Sequence, residues 1–181
     1  YIGYDNTYDC VRSAVRFLQE EQEEDGSWFG RWCVNYIYGT WQVLRGLKAI
    51  GFDMEAPFVQ KAANWLLSVQ LADGGWGERC STYDNPREKG TGPATPSQTA
   101  WALMGLMAAG HSKHPAVERG IEYLLATQLP DGNWEETEFT GTGFPKVFYL
   151  EYTLYRLNFP LQTLGIYQSE LSKEKMTARA V

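Results

Sequence analysis

The sequence predicts an all-α protein made of helical hairpins that repeat along the chain, and three observations support this. The string Gln-x-x-Asp-Gly-x-Trp occurs at 22–28, 70–76 and 128–134, so successive copies lie 48 and then 58 residues apart. Before each copy, apolar residues recur at i, i+3, i+4 and i+7, which is one face of an α-helix. They are Val11, Ala14, Val15 and Leu18, then Val59, Ala62, Ala63 and Leu66, then Val117, Gly120, Ile121 and Leu124. After the first two copies a second helical stretch recurs, 40–51 aligning with 99–110, and no strand-like alternation competes with it. Self-similarity at this period is the mark of stacked supersecondary units.

Taken in order, each hairpin opens with a helix of about four turns. Phe17, Trp65 and Tyr123 share one matched position in it, and Pro57 and Pro115 stand where a first turn accepts proline. Gly26, Gly74 and Gly132 let the chain leave that helix at positive φ, and the aspartate before each suits the same turn. Trp28, Trp76 and Trp134 each offer a large plate with one N–H donor. The planar amides of Gln22, Gln70 and Gln128 are suited to stack on that plate and cap a neighbouring helix end. These nine residues read as staples between hairpins rather than as chemistry.

In the second helices, Gly46 and Gly105 are expected to permit close helix contact, with Gly51 and Gly110 as C-terminal stops. The third hairpin's second helix is expected from about Pro145 to Phe159, stopped by Pro160. Residues 77–95 form a polar loop rich in Gly and Pro, of a length usually functional or mobile. The repeats fall roughly at 8–51, 57–110 and 115–160, within a domain of 1–165 followed by a polar tail, 166–181.

Composition narrows the function classes. The 181 residues are 44% hydrophobic and 21% charged, enough for one domain with its own core. A formal charge of −6 argues against a nucleic-acid partner. No apolar run approaches the ~18 residues of a spanning helix and no signal peptide is seen, which leaves lying on a membrane open. Cys10, Cys33 and Cys80 are odd in number and far apart, and are expected to be reduced thiols of a cytosolic protein. The chain begins at Tyr1 beside a helical pattern and reads as a piece of something longer.

Aromatic residues reach 14% of the chain. Phe144, Phe148, Tyr152 and Tyr155 fall at i, i+4, i+8 and i+11, one stripe if the segment is helical. Such a stripe is ordinarily core. The matched helices of the other hairpins use mainly Val, Leu, Met and Ala there, which sets this one apart. Aromatic faces attract a cation through their quadrupole without acting as a base. His111 and His114 have no third ligand at metal spacing and read as surface histidines. Cys80 has no neighbouring base in sequence to activate it.

The Gln-x3-Gly-x-Trp element resembles the QW motif of the triterpene cyclases. Three longer stretches are similar to the C-terminal third of bacterial squalene–hopene cyclases and stand in family order: GSWFGRWCVNYIYGT (26–40), TPSQTAWAL (95–103) and GTGFPKVFYLEYTLYRLNFP (141–160). Val34-Asn35-Tyr36-Ile37-Tyr38 departs from the Val-Cys-x-Thr-Tyr typical of oxidosqualene cyclases, and Phe148-Tyr149-Leu150 resembles the hopene branch. The resemblance implies about half of an (α/α)6 barrel, the terpenoid cyclase toroid. It implies a parent isomerase or intramolecular lyase that protonates squalene and closes pentacyclic hopene or hopanol through a carbocation cascade. Trp32, Phe144, Phe148, Tyr152 and Tyr155 would line the cavity, Tyr38 would lie near its acid end, and Leu150 would shape it by bulk. The family's acid is an Asp-x-Asp-Asp string, whereas the aspartates here stand apart, so the chain is expected to be inactive alone.

No metal or organic cofactor is implied. The implied partners are squalene, a membrane surface on its cytoplasmic side in a bacterium, and a second copy of the parent in a homodimer. Two other classes share helical hairpins. One is a protein prenyltransferase β-subunit, which needs zinc held by Asp, Cys and His; the other is a non-catalytic helical-repeat module that binds another protein.

Overall fold

The amphipathic stretches set the architecture, because each can bury its apolar face only against a neighbouring hairpin. The computed structural model describes residues 3–179. Its helices are α1 (Asp9–Glu20), α2 (Tyr36–Ala49), α3 (Pro57–Ser68), α4 (Pro96–Ala108), α5 (Pro115–Thr127) and α6 (Tyr155–Arg179). The second helices α2, α4 and α6 lie side by side, while α3 packs on α2 and α4, and α5 packs on α4. All of α4 is buried, with Trp101, Leu103, Met104 and Leu106 at its centre. None of these helices is long and apolar enough to cross a membrane.

The QW turns join the hairpins through backbone carbonyls. Gln22 Nε2 donates to Gly26 O at 2.9 Å and to Phe58 O at 2.8 Å. Gln70 Nε2 donates to Gly74 O and Ala116 O, both at 2.8 Å. Phe58 and Ala116 are the second residues of α3 and α5, so each glutamine grips the start of the next hairpin. The tryptophans turn inward, Nε1 of Trp28, Trp76 and Trp134 donating to Leu18 O, Leu66 O and Leu124 O at 2.7, 2.7 and 2.8 Å. Gly26, Gly74 and Gly132 have φ of +101, +89 and +85°, where any side chain is strained.

Two expectations about the helices are corrected. A Cβ on Gly105 would lie 3.4 Å from Trp41 Cα, so this glycine does permit close contact between α4 and α2; a Cβ on Gly46 would meet nothing within 4 Å, so Gly46 does not. The stretch expected as a helix from Pro145 to Phe159 is instead an antiparallel hairpin, β1 (Gly141–Phe144) and β2 (Phe148–Leu150), followed by α6. Pro160 lies inside α6 rather than ending it, and the helix runs on to Arg179.

The physical reason is pairing with a distant segment. Thr142 N donates to Trp32 O at 3.0 Å and Val34 N to Thr140 O at 2.9 Å, which fixes β1 as extended chain. Lys146, at φ 68°, turns it back. Helical spacing in the sequence could not reveal a partner more than a hundred residues away.

Candidate functional site

The segment 29–38, leaving the first QW turn, carries Trp32 and Tyr38, the β1–β2 hairpin carries Phe144 and Phe148, and Tyr152 and Tyr155 lie where the chain passes from β2 into α6. The hairpin pairs Gly141 with Leu150, Thr142 with Tyr149 and Phe144 with Phe148, slipping register between Thr142 and Phe144. Its two glycines are seats for rings. A Cβ on Gly143 would lie 2.0 Å from the Phe148 ring, and one on Gly141 would lie 2.4 Å from the Tyr152 ring. Phe144 and Phe148 meet edge to face at 5.9 Å, and Trp32 meets Phe144 at 6.3 Å. These three rings are about half exposed: Trp32 52%, Phe144 53% and Phe148 43%. Leu150 is half-buried beside Gly141.

A second group runs from the exposed Tyr152 inward. Tyr152 and Tyr155 stand 4.6 Å apart, Tyr155 reaches Trp101 at 6.0 Å, and Trp101 reaches Tyr38 at 5.1 Å. Trp41 stacks on Trp101 at 5.7 Å, and Phe159 packs its edge against both. The Tyr155 hydroxyl lies 3.7 Å from Cys33 Sγ. The structure thus gathers Trp32, Phe144 and Phe148 at an open rim, sets Tyr38 and Tyr155 against the buried Trp101, and leaves Tyr152 between Tyr155 and the Gly141 seat. The indole N–H groups of Trp41 and Trp101 are buried and make no hydrogen bond.

Its charge state suits cation chemistry. Burial raises the Tyr38 and Tyr155 phenols above their ordinary range, with the neighbouring Cys33 thiol a smaller cause. Both stay neutral at physiological pH, and neither is a phenolate that could remove a proton.

The sequence reading missed the groups that hold this wall in place. Tyr83, buried in the 77–95 loop, places its hydroxyl 2.8 Å from Gly30 O and 2.9 Å from Cys33 O, donating to one at a time. Gln98 Nε2 donates to Val34 O at 3.0 Å and to Glu78 O at 2.9 Å. Glu78 Oε2 accepts from Asn35 N at 3.3 Å and Ile37 N at 3.0 Å, capping the start of α2. Glu136 does the same for α4, accepting from Ser97 N at 2.9 Å.

Both carboxylates stand two residues after a QW tryptophan, a Trp-x-Glu signal that the sequence shows at 76–78 and 134–136. Burial raises both, Glu78 to about 7. A carboxyl weakened this way is a poor proton source for an alkene. Lys89 ties the long loop down, its Nζ 3.2 Å from Glu23 and Asp25 and 4.3 Å from the Tyr36 ring centre.

The remaining candidates are structural. Asp25, Asp73 and Asp131 each accept the N–H two residues on, at 2.9, 3.0 and 3.0 Å, closing the QW turns. His114 Nδ1 caps α5 by accepting from Ala116 N at 3.1 Å, and His111 Nε2 meets Gln60 Oε1 at 2.9 Å. Among the described residues, Cys10, Cys33 and Cys80 are free thiols.

Comparison with solved structures defines the class first. The chain superimposes on ent-copalyl diphosphate synthase from Streptomyces platensis with a TM-score of 0.62 at 24% identity, covering 88% of this chain and 29% of that one. It matches the type II terpene cyclase MstE from Scytonema with a TM-score of 0.61 at 19% identity, covering 87% and 52%. The fold is that of a helical terpene cyclase domain.

The family follows from sequence. Residues 1–169 match the squalene–hopene cyclase C-terminal domain. The chain is 52% identical over 171 residues to the squalene–hopene cyclase of Alicyclobacillus acidocaldarius, 94% of this chain and 27% of that protein. It is 50% identical over 164 residues to a probable squalene–hopene cyclase of Sinorhizobium fredii, 88% and 25%. A dammaradiene synthase of Dryopteris crassirhizoma is 44% identical over 182 residues, 93% and 27%. The chain belongs to the squalene–hopene cyclase family, and it spans about a quarter of the length of these curated relatives.

Proposed function

We propose that this chain is a C-terminal portion of a squalene–hopene cyclase and forms the aromatic wall along which squalene is cyclised. One observation carries the reading: the half-exposed rings of Trp32, Phe144 and Phe148 cluster at the β1–β2 hairpin, and from Tyr152, seated on that hairpin, ring contacts run through Tyr155 and Trp101 to Tyr38, with burial holding the Tyr38 and Tyr155 phenols neutral. In the reaction a proton adds to a terminal alkene carbon and leaves a tertiary cation at its neighbour. Each following alkene supplies the electron pair for one ring bond and passes the cation on. Loss of a proton ends the cascade at hopene, and capture of water ends it at hopanol.

The wall's part is to hold polyene folded, exclude water and face the migrating charge with ring quadrupoles, worth about 0.5–2 kcal/mol per ring. Phe144 and Phe148 act where later rings close, Tyr38 nearer the acid, and Leu150 by bulk. The acid itself belongs to the rest of the parent, which would lie on the cytoplasmic face of a bacterial membrane as a homodimer. Purified chain incubated with squalene and analysed by gas chromatography is therefore expected to yield no hopene or hopanol. Turnover by the chain alone would sink this reading.

A further inference from the structure

The long polar loop 77–95 is an ordered strap. Its neck is drawn shut where Thr95 N donates to Trp76 O at 3.0 Å and Arg79 N to Thr91 O at 3.2 Å. Its tip is braced from within, Ser81 Oγ donating to Glu88 Oε2 at 2.5 Å and Asn85 Nδ2 to Glu88 Oε1 at 2.9 Å. Compact loops with joined ends and packing of their own are frequently functional. The outgoing limb is bound to the segment that carries Trp32. Besides the Tyr83 and Glu78 bonds, Asn35 Nδ2 donates to Thr82 Oγ1 at 3.2 Å, and the Tyr83 ring meets Phe29 edge to face at 5.5 Å. Tyr83 also stacks on Tyr149 of β2 at 6.0 Å, so this limb touches both parts of the aromatic rim.

The return limb is held by a cation. Lys89 Nζ pairs with Glu23 Oε2 and Asp25 Oδ2, donates to Ser27 Oγ at 3.4 Å and stands over the Tyr36 ring. Glu23, Asp25 and Ser27 belong to the first QW turn, more than sixty residues away in the chain, and Tyr36 opens α2. Lys89 thus bridges the two ends of the stretch that carries Trp32. Its side chain is 13% exposed, so salt screens the contact only in part. Beside it the strap lies flat on the end of α3, where a Cβ on Gly90 would stand 2.6 Å from Val69 Cβ.

We propose that Lys89 is the latch of this strap, a positioning residue that holds the Trp32–Tyr38 stretch in place without touching the aromatic site. With the latch closed, one cation ties the first QW turn to the start of α2 and fixes the span between them. With it open, the stretch keeps the Tyr83 bond and its pairing with β1 but gains freedom at its base. That these rings face a polyene rests on the function proposed above. The latch rests on the chain's own contacts, so hydrogen exchange can refute it whatever the squalene assay returns.

Hydrogen exchange of the 181-residue chain, read peptide by peptide in a mass spectrometer, tests this. In Lys89→Met, exchange is expected to quicken about tenfold at 79–92 and at 29–38, while α4 and α5 stay unchanged. Lys89→Arg keeps the charge and should keep the slow rate. Lys146→Met breaks an exposed pair with Asp84 elsewhere on the strap and should alter neither region. Acrylamide, which is neutral, should quench Trp32 about twofold more in Lys89→Met, the Trp32 share being the difference from the same chain carrying Trp32→Phe. Unchanged exchange at 79–92 overturns the proposal, as does a freed strap over an unchanged 29–38 stretch and Trp32. Quickening that spreads equally to α4 and α5 would make Lys89 a general stabiliser and overturn it too. An equal effect of Lys146→Met, or a Lys89→Arg chain as loose as Lys89→Met, would do the same.

Discussion

Glu78 shows how a single side chain can hold the site without touching it. It is buried, its Oε2 caps α2, and its Oε1 makes no hydrogen bond of normal geometry. Burial raises its folded pKa from 4.5 to about 7, against the weaker opposing effects of the Ile37 and Asn35 N–H groups. Between those values the folded state keeps a proton that the unfolded chain has lost. Stability is thus full below about pH 4.5 and falls as pH rises through about 7, by roughly 3 kcal/mol in all. Glu136 shifts in the same direction and adds to the trend. Urea denaturation at pH 5 and pH 7.5 should show this fall, and Glu78→Gln should flatten it. An equal fall in the variant would assign the dependence to other groups. At the same scale, Gly143→Ala puts a methyl where the Phe148 ring lies. The ring must leave Phe144, and the near-ultraviolet circular dichroism of that pair should change while helix content does not.

The element that recurs is a turn, and its copies differ in what they carry. Gly74→Ala places a methyl 2.7 Å from Arg119 O, a backbone atom that cannot step aside, on top of the strain of φ +89°. Gly132→Ala meets only the strain, about 1–2 kcal/mol. Denaturation midpoints should therefore fall further for Gly74→Ala than for Gly132→Ala, and equal losses would mean that the second turn is no more engaged than the third. The turns and most of the helices were legible in the sequence because repetition prints one face three times. The β1–β2 hairpin was not. Phe144, Phe148 and Tyr152 are spaced by four whether the chain is helical or folds back at Lys146, and only the distant partner at Trp32–Val34 decides. Trp-x-Glu was visible but unread, because a carboxylate that caps a helix of another hairpin leaves no local pattern.

Across the whole molecule, six of the seven tryptophans are buried, and Trp32 alone stands at the rim of the aromatic face. Buried indoles such as Trp76, Trp101 and Trp134 serve the hairpin stack, so substitution there tests folding; Trp32 tests the face itself. Its half-exposed ring, 6.3 Å from Phe144, presents a π surface to whatever occupies the site. Iodide should quench a minor, exposed part of the tryptophan fluorescence, and Trp32→Phe should remove that part while leaving the blue-shifted remainder. A long-chain alkyl dimethylammonium, which joins an apolar tail to a cation, should shield Trp32 from iodide by occupying the face. A neutral alcohol of equal chain length lacks the charge and should shield less. Equal shielding by the two would show that the face selects for apolar surface alone, and the cation-facing role given to these rings would fail.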